Sequence, residues 1–201
     1  ALLWRNGILR LTLHEAYRAH REAVRWGERY SSRGIPDRAL GLDPLTRHIM
    51  RWAMGSPGRA LALARLGGAW LPVLEMDVLP ALRCAAHFAL LAPEPPAGPE
   101  DQVEAGRAVQ RLWLTAARLN LRLQPEYTPL VFARYLLEGV PFTRDAAARR
   151  RAEAVTAGLG RLLGGREVLA RAVFLGRLGA GPQPRARSLR LPLQELMGCQ
   201  S

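Results

Sequence analysis

Residues 14–20 read HEAYRAH, two histidines and a glutamate on what looks like one helix. A zinc-hydrolase helix of the HExxH kind needs its second histidine four residues after the first, so that both rings reach one metal from one face. Arg18 holds that position and His20 lies six residues from His14, on another face. No metal site is indicated. His48 and His87 stand isolated, and His87 falls in an apolar run, where a packed or capping role is the expectation. Neither Cys84 nor Cys199 belongs to a CxxC pair or has a plausible histidine partner in the sequence, so no nucleophile pair, zinc set or disulfide framework is expected. A reducing cytoplasm is the matching compartment. There is no Walker loop, no GxSxG elbow and no GxGxxG after a strand. GRLGAGPQP runs into proline instead of a helix whose N-terminus could hold a phosphate.

Two segments keep their interest. In QPEYTP, Gln124, Glu126, Tyr127 and Thr128 are delivered where a short strand ends and the next helix starts, a corner able to offer backbone N–H groups and polar atoms to a flat ligand. Its plain alternative is an ordinary strand-to-helix turn. In RARSLR, Arg185, Arg187 and Arg190 surround Ser188, and guanidinium groups on an extended segment can grip a phosphate bidentately. The alternative there is a solvated basic tail.

These segments need a scaffold. After a short apolar opening, Thr12 with Glu15 forms a capping box, predicting a helix that runs towards Gly34. Asp43-Pro44 and Ser56-Pro57 open two further helices, the second closing at Gly67-Gly68. Residues 69–83, bracketed by Pro72 and Pro80, are expected to be irregular with a short turn of helix. CAAHFALLAP is apolar throughout and reads as a buried strand. A surface loop, PEPPAGPE, separates it from a long core helix over Glu100–Leu119, with Val103, Gly106, Val109 or Gln110, Trp113 and Ala117 on one face. LRLQ is a second short strand and Pro129 stands in the first turn of the next helix. Asp145 opens another helix, closed by Gly164-Gly165, and AVFL is a further strand. The tail, 183–201, alternates proline with arginine and is expected to lie extended before a last helical turn.

The chain has 201 residues, of which 49% are hydrophobic, enough for one domain with a core. No apolar run approaches the roughly 20 residues of a membrane span. A formal charge of +12, from 29 basic and 17 acidic side chains, invites a nucleic-acid reading. Every basic residue is arginine, which fits a GC-rich bacterial genome, and the arginines are scattered instead of banded; a solvated surface is the simpler account. The abrupt start ALLWRNGILR reads as a chain whose N-terminal portion is missing.

GRAVQRLWLTAARLNLRLQPEYTPLVFARY resembles the central helix, strand and turn of FMN-dependent nitroreductase-like proteins. LGRLGAGPQPRARSLRLPLQEL resembles their last strand and arginine-bearing tail. The nearest likeness is to nitroreductase-like domains associated with adenylating domains. It spans about Leu9 to Met197 and is best over 104–137 and 173–197. The resemblance implies a single α+β domain, a mixed sheet flanked by helices, with the long central helix at a homodimer interface. It implies FMN as cofactor, with Gln124, Pro125, Glu126 and Tyr127 beside the isoalloxazine and Arg185, Arg187 and Arg190 beside the phosphate. Electrons would pass from a reduced nicotinamide to a small organic acceptor, with no catalytic side chain required. Leu119-Asn120-Leu121 stands for the family's LGL element, so Asn120 would hold a positive-φ position. The family's arginine- and serine-bearing opening segment has no counterpart before Arg10. A non-catalytic dimerisation module of the same fold is the alternative.

Overall fold

Asp43, Ser56 and Asp145 each precede an apolar-periodic run, and in the computed structural model of the chain each caps the helix that follows. Asp43 Oδ1 accepts from the N–H of Leu45 at 2.8 Å, Ser56 Oγ from Arg59 at 3.3 Å, and Asp145 Oδ1 from Ala147 at 2.7 Å. Each oxygen satisfies a donor that a first helical turn leaves without an intrahelical partner.

The structure describes residues 1–198; Cys199 lies outside them. In chain order the elements are α1 (Leu2–Thr12), α2 (His14–Ala23), β1 (Val24–Arg25), β2 (Tyr30–Ser31), β3 (Ile35–Pro36), a 3-10 turn (Asp37–Ala39), α3 (Pro44–Ala53), α4 (Pro57–Arg65), α5 (Trp70–Val73), a π turn (Leu74–Val78), α6 (Leu79–Arg83), β4 (Ala86–Leu91), α7 (Pro99–Arg118), β5 (Arg122–Pro125), α8 (Thr128–Leu137), α9 (Ala146–Leu163), α10 (Arg166–Arg171), β6 (Ala172–Gly179), β7 (Arg187–Ser188) and α11 (Leu193–Leu196). The architecture is α+β. Its residues divide into two units, one of Ala1–Arg10 with Asp77–Gly181, the other of Leu11–Met76 with the chain from Pro182 onward. No described helix is long and apolar enough to cross a membrane.

The first unit is built on an antiparallel sheet of order β4-β6-β5. His87, Arg177 and Gln124 stand opposite one another across the three strands, as do Phe88 and Gly176. Strand alternation sends odd-numbered residues of β6 to one face and even-numbered ones to the other. Leu175 joins Leu130 and Ala133 of α8, Leu159 of α9 and Leu169 of α10 in the core cluster, and so does Ala172, the first residue of β6, beyond the register shift between Leu90 and Leu91 that breaks the alternation. On the other face Phe174 meets Phe88, Trp113 of α7 and Tyr127, with ring centroids 6.0, 6.4 and 6.1 Å away. Gly176 makes room for this aromatic group. A Cβ there would lie 2.6 Å from Phe88 Cζ.

The second unit holds α2 to α5 and two short parallel pairs, β1 with β3 and β2 with β7. Tyr17 donates its hydroxyl to Met54 O at 2.9 Å. The buried Thr46 hydroxyl lies between Asp43 and Glu75, and hydrogen bonding with the side chains of Thr46, first, and Glu75 holds the Asp43 carboxyl down at about 2.

Several elements differ from the sequence expectation. The opening is helical: Asn6, Gly7 and Leu9 are buried in α1, and Thr12 ends that helix instead of capping the next. The helix expected to reach Gly34 stops at Ala23, where β-branched Val24 turns extended and pairs with Ile35. Gly27 and Gly34, at φ of 83° and 84°, let the chain reverse twice. Residues 70–83 are helical throughout, because Pro72 and Pro80 each fall in a first turn, where no N–H is required, and the π turn joins the two pieces.

The core helix turns over relative to expectation. In α7 only Ala116 is buried, flanked by half-buried Ala105, Ala108, Val109 and Leu112. Val103 and Trp113 of the predicted face are 61% and 40% exposed. Asn120 ends this helix at φ 59°, donating to Ala117 O at 3.0 Å while Leu121 donates to Ala116 O at 2.8 Å. That bond pair is the Schellman closure, which requires a left-handed residue. Asn120→Val is expected to cost about 1–2 kcal/mol, since a β-branched side chain is least tolerated there, with Asn120→Gly close to neutral. Urea unfolding midpoints of the two variants check this.

Candidate functional site

Arg177 lies in the middle of the apolar strand β6, 4% exposed. A buried guanidinium is stable only when its charge and its N–H groups are answered. The register supplies the partners. Gln124, directly opposite, accepts at Oε1 from Arg177 Nη2 at 2.7 Å and Nε at 3.2 Å. Glu126 follows one residue after β5, where its own N–H bonds Leu175 O at 2.9 Å, so its side chain falls on the same sheet face. Its Oε1 accepts from Arg177 Nη1 at 3.0 Å, and the carbonyl of Asp77 accepts from that nitrogen at 3.1 Å. Asp77 is itself paired with Arg10 at 2.9 Å. Burial pushes the Asp77 carboxyl above its ordinary value, against the pull of Arg10 and Arg177.

The second oxygen of Glu126 reaches a histidine. Oε2 is 2.7 Å from Nδ1 of His87, the residue facing Arg177 on β4. The other ring nitrogen, Nε2, is 3.3 Å from Cys84 Sγ and 3.1 Å from Ala81 O. Cys84 is the C-cap of α6, its N–H held by Pro80 O, and its sulfur is 3.2 Å from Ala81 O. The junction between α6 and β4 thus lines up a thiol, an imidazole and a carboxylate, the last anchored by a buried arginine. This corrects two sequence expectations: Cys84 has a histidine partner, and His87 is an exposed side chain held at both ring nitrogens instead of a packed one. A linear arrangement of this kind does not converge on a point, and no cluster able to hold a metal ion occurs among the described residues.

His87 and Glu126 open onto a cavity of about 540 Å³ within the same unit. The rest of its wall is apolar, with Leu82, Phe88, Pro129, Leu159, Leu163 and Leu175 among the lining side chains. Its volume is that of an ordinary small-molecule site.

The residues singled out in the sequence fall into different settings. Gln124 and Glu126 come together at Arg177, whereas Tyr127 turns to the opposite face, against Phe174. Pro125, opposite Gly176, is exposed on the edge strand β5, where a missing N–H is tolerated. Arg185, Arg187 and Arg190 belong to the second unit, all exposed. Arg185 O accepts from Arg29 Nε at 2.7 Å, and Arg187 pairs with Tyr30 between β7 and β2. Arg177, His87 and Cys84 were not anticipated. The signal for Arg177 was available: an arginine inside AVFLGRLG is a charge in a buried strand, and such a charge implies a buried carboxylate nearby. No protein-family model, curated protein or solved structure matches the chain.

Proposed function

We propose that the chain is an FMN-dependent oxidoreductase domain of the nitroreductase type that works as a homodimer. One observation carries the reading. A 20-residue helix, α7, leaves an apolar stripe outside the fold and closes on a left-handed Asn120, leading directly into an edge strand whose final corner is exposed. Val103 and Leu114, both exposed, and the open side of Trp113, whose ring also meets Phe174, supply the stripe, which a second copy of the chain would cover. The edge strand ends at Pro125 and Tyr127, both exposed beside the Trp113–Phe174 aromatic group.

The corner suits a flat ring with polar edges. Because Arg177 holds Gln124 Oε1, the amide of Gln124 is fixed with its NH₂ end turned away from the guanidinium, a donor for a ligand carbonyl. Pro125 and Tyr127 offer apolar and aromatic surface. Glu126 is engaged by Arg177 and His87, so it sets the corner's shape instead of binding. Bound FMN would supply two-electron transfer from a reduced nicotinamide to a small organic acceptor, with the protein contributing position and exclusion of water. Arg185, Arg187 and Arg190 are the phosphate-binding residues in this reading. A second reading, a dimerisation module without cofactor, is favoured by the inward use of Glu126 and of the Gln124 oxygen by Arg177.

The test is a visible spectrum of the purified protein after loading with FMN and desalting. The flavin band is expected to remain, and to be lost in the double variant Arg185→Ala, Arg187→Ala. A folded dimer that keeps no flavin would sink the oxidoreductase reading and leave the module; a monomer would remove both.

A further inference from the structure

Glu126 is held on both of its oxygens. Its side chain is 10% exposed and one oxygen is held by Arg177, whose side chain is 5% exposed, leaving the other oxygen facing His87 Nδ1. A carboxylate there accepts the Nδ1 proton and leaves Nε2 as the acceptor, placed 3.3 Å from Cys84 Sγ and 3.1 Å from Ala81 O. Packing does not explain the histidine, because its side chain is 47% exposed and fills no core. The thiol proton has two acceptors within reach, Ala81 O and His87 Nε2, and only the imidazole can carry it away. A nucleophile beside a base that is oriented by a third group is the geometry of covalent catalysis, whatever the chain order of its members.

We propose that Cys84 accepts acyl groups from activated esters or thioesters, with His87 as its base and Glu126 as the positioning residue, and that the apolar cavity holds the acyl chain. Among the described side chains lining that cavity, His87 and Glu126 are the ionisable ones and the others are apolar. Such a site selects against charged ligands, which would be desolvated without a partner, and favours a hydrocarbon chain with a reactive carbonyl at one end. In the step, the Cys84 thiol gives its proton to His87 Nε2 and Sγ bonds to the carbonyl carbon. The bond from that carbon to the leaving oxygen or sulfur then breaks, and the leaving group takes the proton back from His87. The products are a thioester on Cys84 and a free alcohol or thiol. No oxidant or reductant enters, and the inference stands on its own apart from the flavin reading.

The test uses the full chain with Cys199→Ser, so that Cys84 is the only thiol, and p-nitrophenyl esters as probes. A stoichiometric burst of p-nitrophenolate is expected, faster with the octanoate than with the acetate, with the octanoyl mass on the peptide carrying Cys84. Cys84→Ala removes the burst. His87→Gln slows it by about 100-fold or more, the usual range for a lost general base. Glu126→Gln slows it, and Glu126→Asp regains part of the rate, with circular dichroism confirming both folds. Leu82→Trp, at a side chain already 78% exposed, narrows the cavity and brings the octanoate-to-acetate ratio towards unity. An unchanged burst in folded His87→Gln, or equal rates for the two esters in the parent protein, would overturn the proposal.

Discussion

Arg177→Met is expected to destabilise the sheet-bearing unit by about 3–5 kcal/mol, the cost of leaving a buried charge without its partner. The side chain of Arg177 is 5% exposed and that of Glu126 10%, so water can do little to replace the lost ion pair. Gln124 Oε1 and the Asp77 carbonyl lose a donor at the same time, and Asp77 loses one of the two positive charges that oppose its burial. The pair itself does not stabilise the fold by that amount. Its attraction is offset by the desolvation of both groups, and replacing both by apolar residues of similar volume is often neutral or better. The double variant Arg177→Met, Glu126→Leu is therefore expected to recover most of the loss, giving a coupling energy of about 2 kcal/mol or more in a double-mutant cycle. Amide exchange along β4, β5 and β6 reads this unit separately from the other. If the single and double variants are equally destabilised, the guanidinium serves packing and not charge. In that case Glu126 would be free of the constraint that aims it at His87.

The parts of this fold legible in the sequence are those decided within a few residues. Asp43, Ser56 and Asp145 begin helices because a side-chain oxygen reaches its own first turn, and Gly164 ends one because φ of 98° suits glycine. Asn120 was expected to be left-handed through the resemblance to the LGL element, and AHFALL was legible as a strand, although it lies at the sheet edge with no residue buried instead of being covered on both sides. The parts that escaped depend on partners remote in sequence. Val24 leaves the helix because Ile35 is available to pair with it, and Tyr30 lies extended because Arg187 does. The apolar positions of α7 form two stripes, and amphipathic spacing does not tell which one meets the sheet; the small residues Ala105, Ala108 and Ala116 go inward because they permit close approach. The QPEYTP corner was legible as a corner. Its division into Gln124 with Glu126 and Pro125 with Tyr127 follows from the strand period of two, but which face received the arginine depended on the register with β6. Cys84 and His87 are three residues apart across a helix-to-strand junction, a spacing that carries no signal until the junction's geometry is known.

Leu159→Ala is expected to cost about 3 kcal/mol, in the middle of the range for truncating a buried leucine. Leu159 is 2% exposed in α9 and packs with Leu130, Ala133, Leu169, Ala172 and Leu175. Two of those neighbours are alanines on regular elements, which cannot extend to fill the space, and that argues for a large loss. Leu159 also forms part of the cavity wall, so the vacated volume joins an existing space instead of making a closed void, which keeps the loss below the top of the range. Leu159→Met, close in volume, should cost less than about 1.5 kcal/mol. Urea unfolding of both variants gives the two values. The acylation assay supplies a second readout of the same change: with the wall set back, the chain-length preference of the Cys84 burst is expected to move from octanoate towards longer esters. A loss of stability with no change in chain-length preference would place the acyl chain elsewhere, and would separate the hydrophobic core that supports the sheet from the space beside His87.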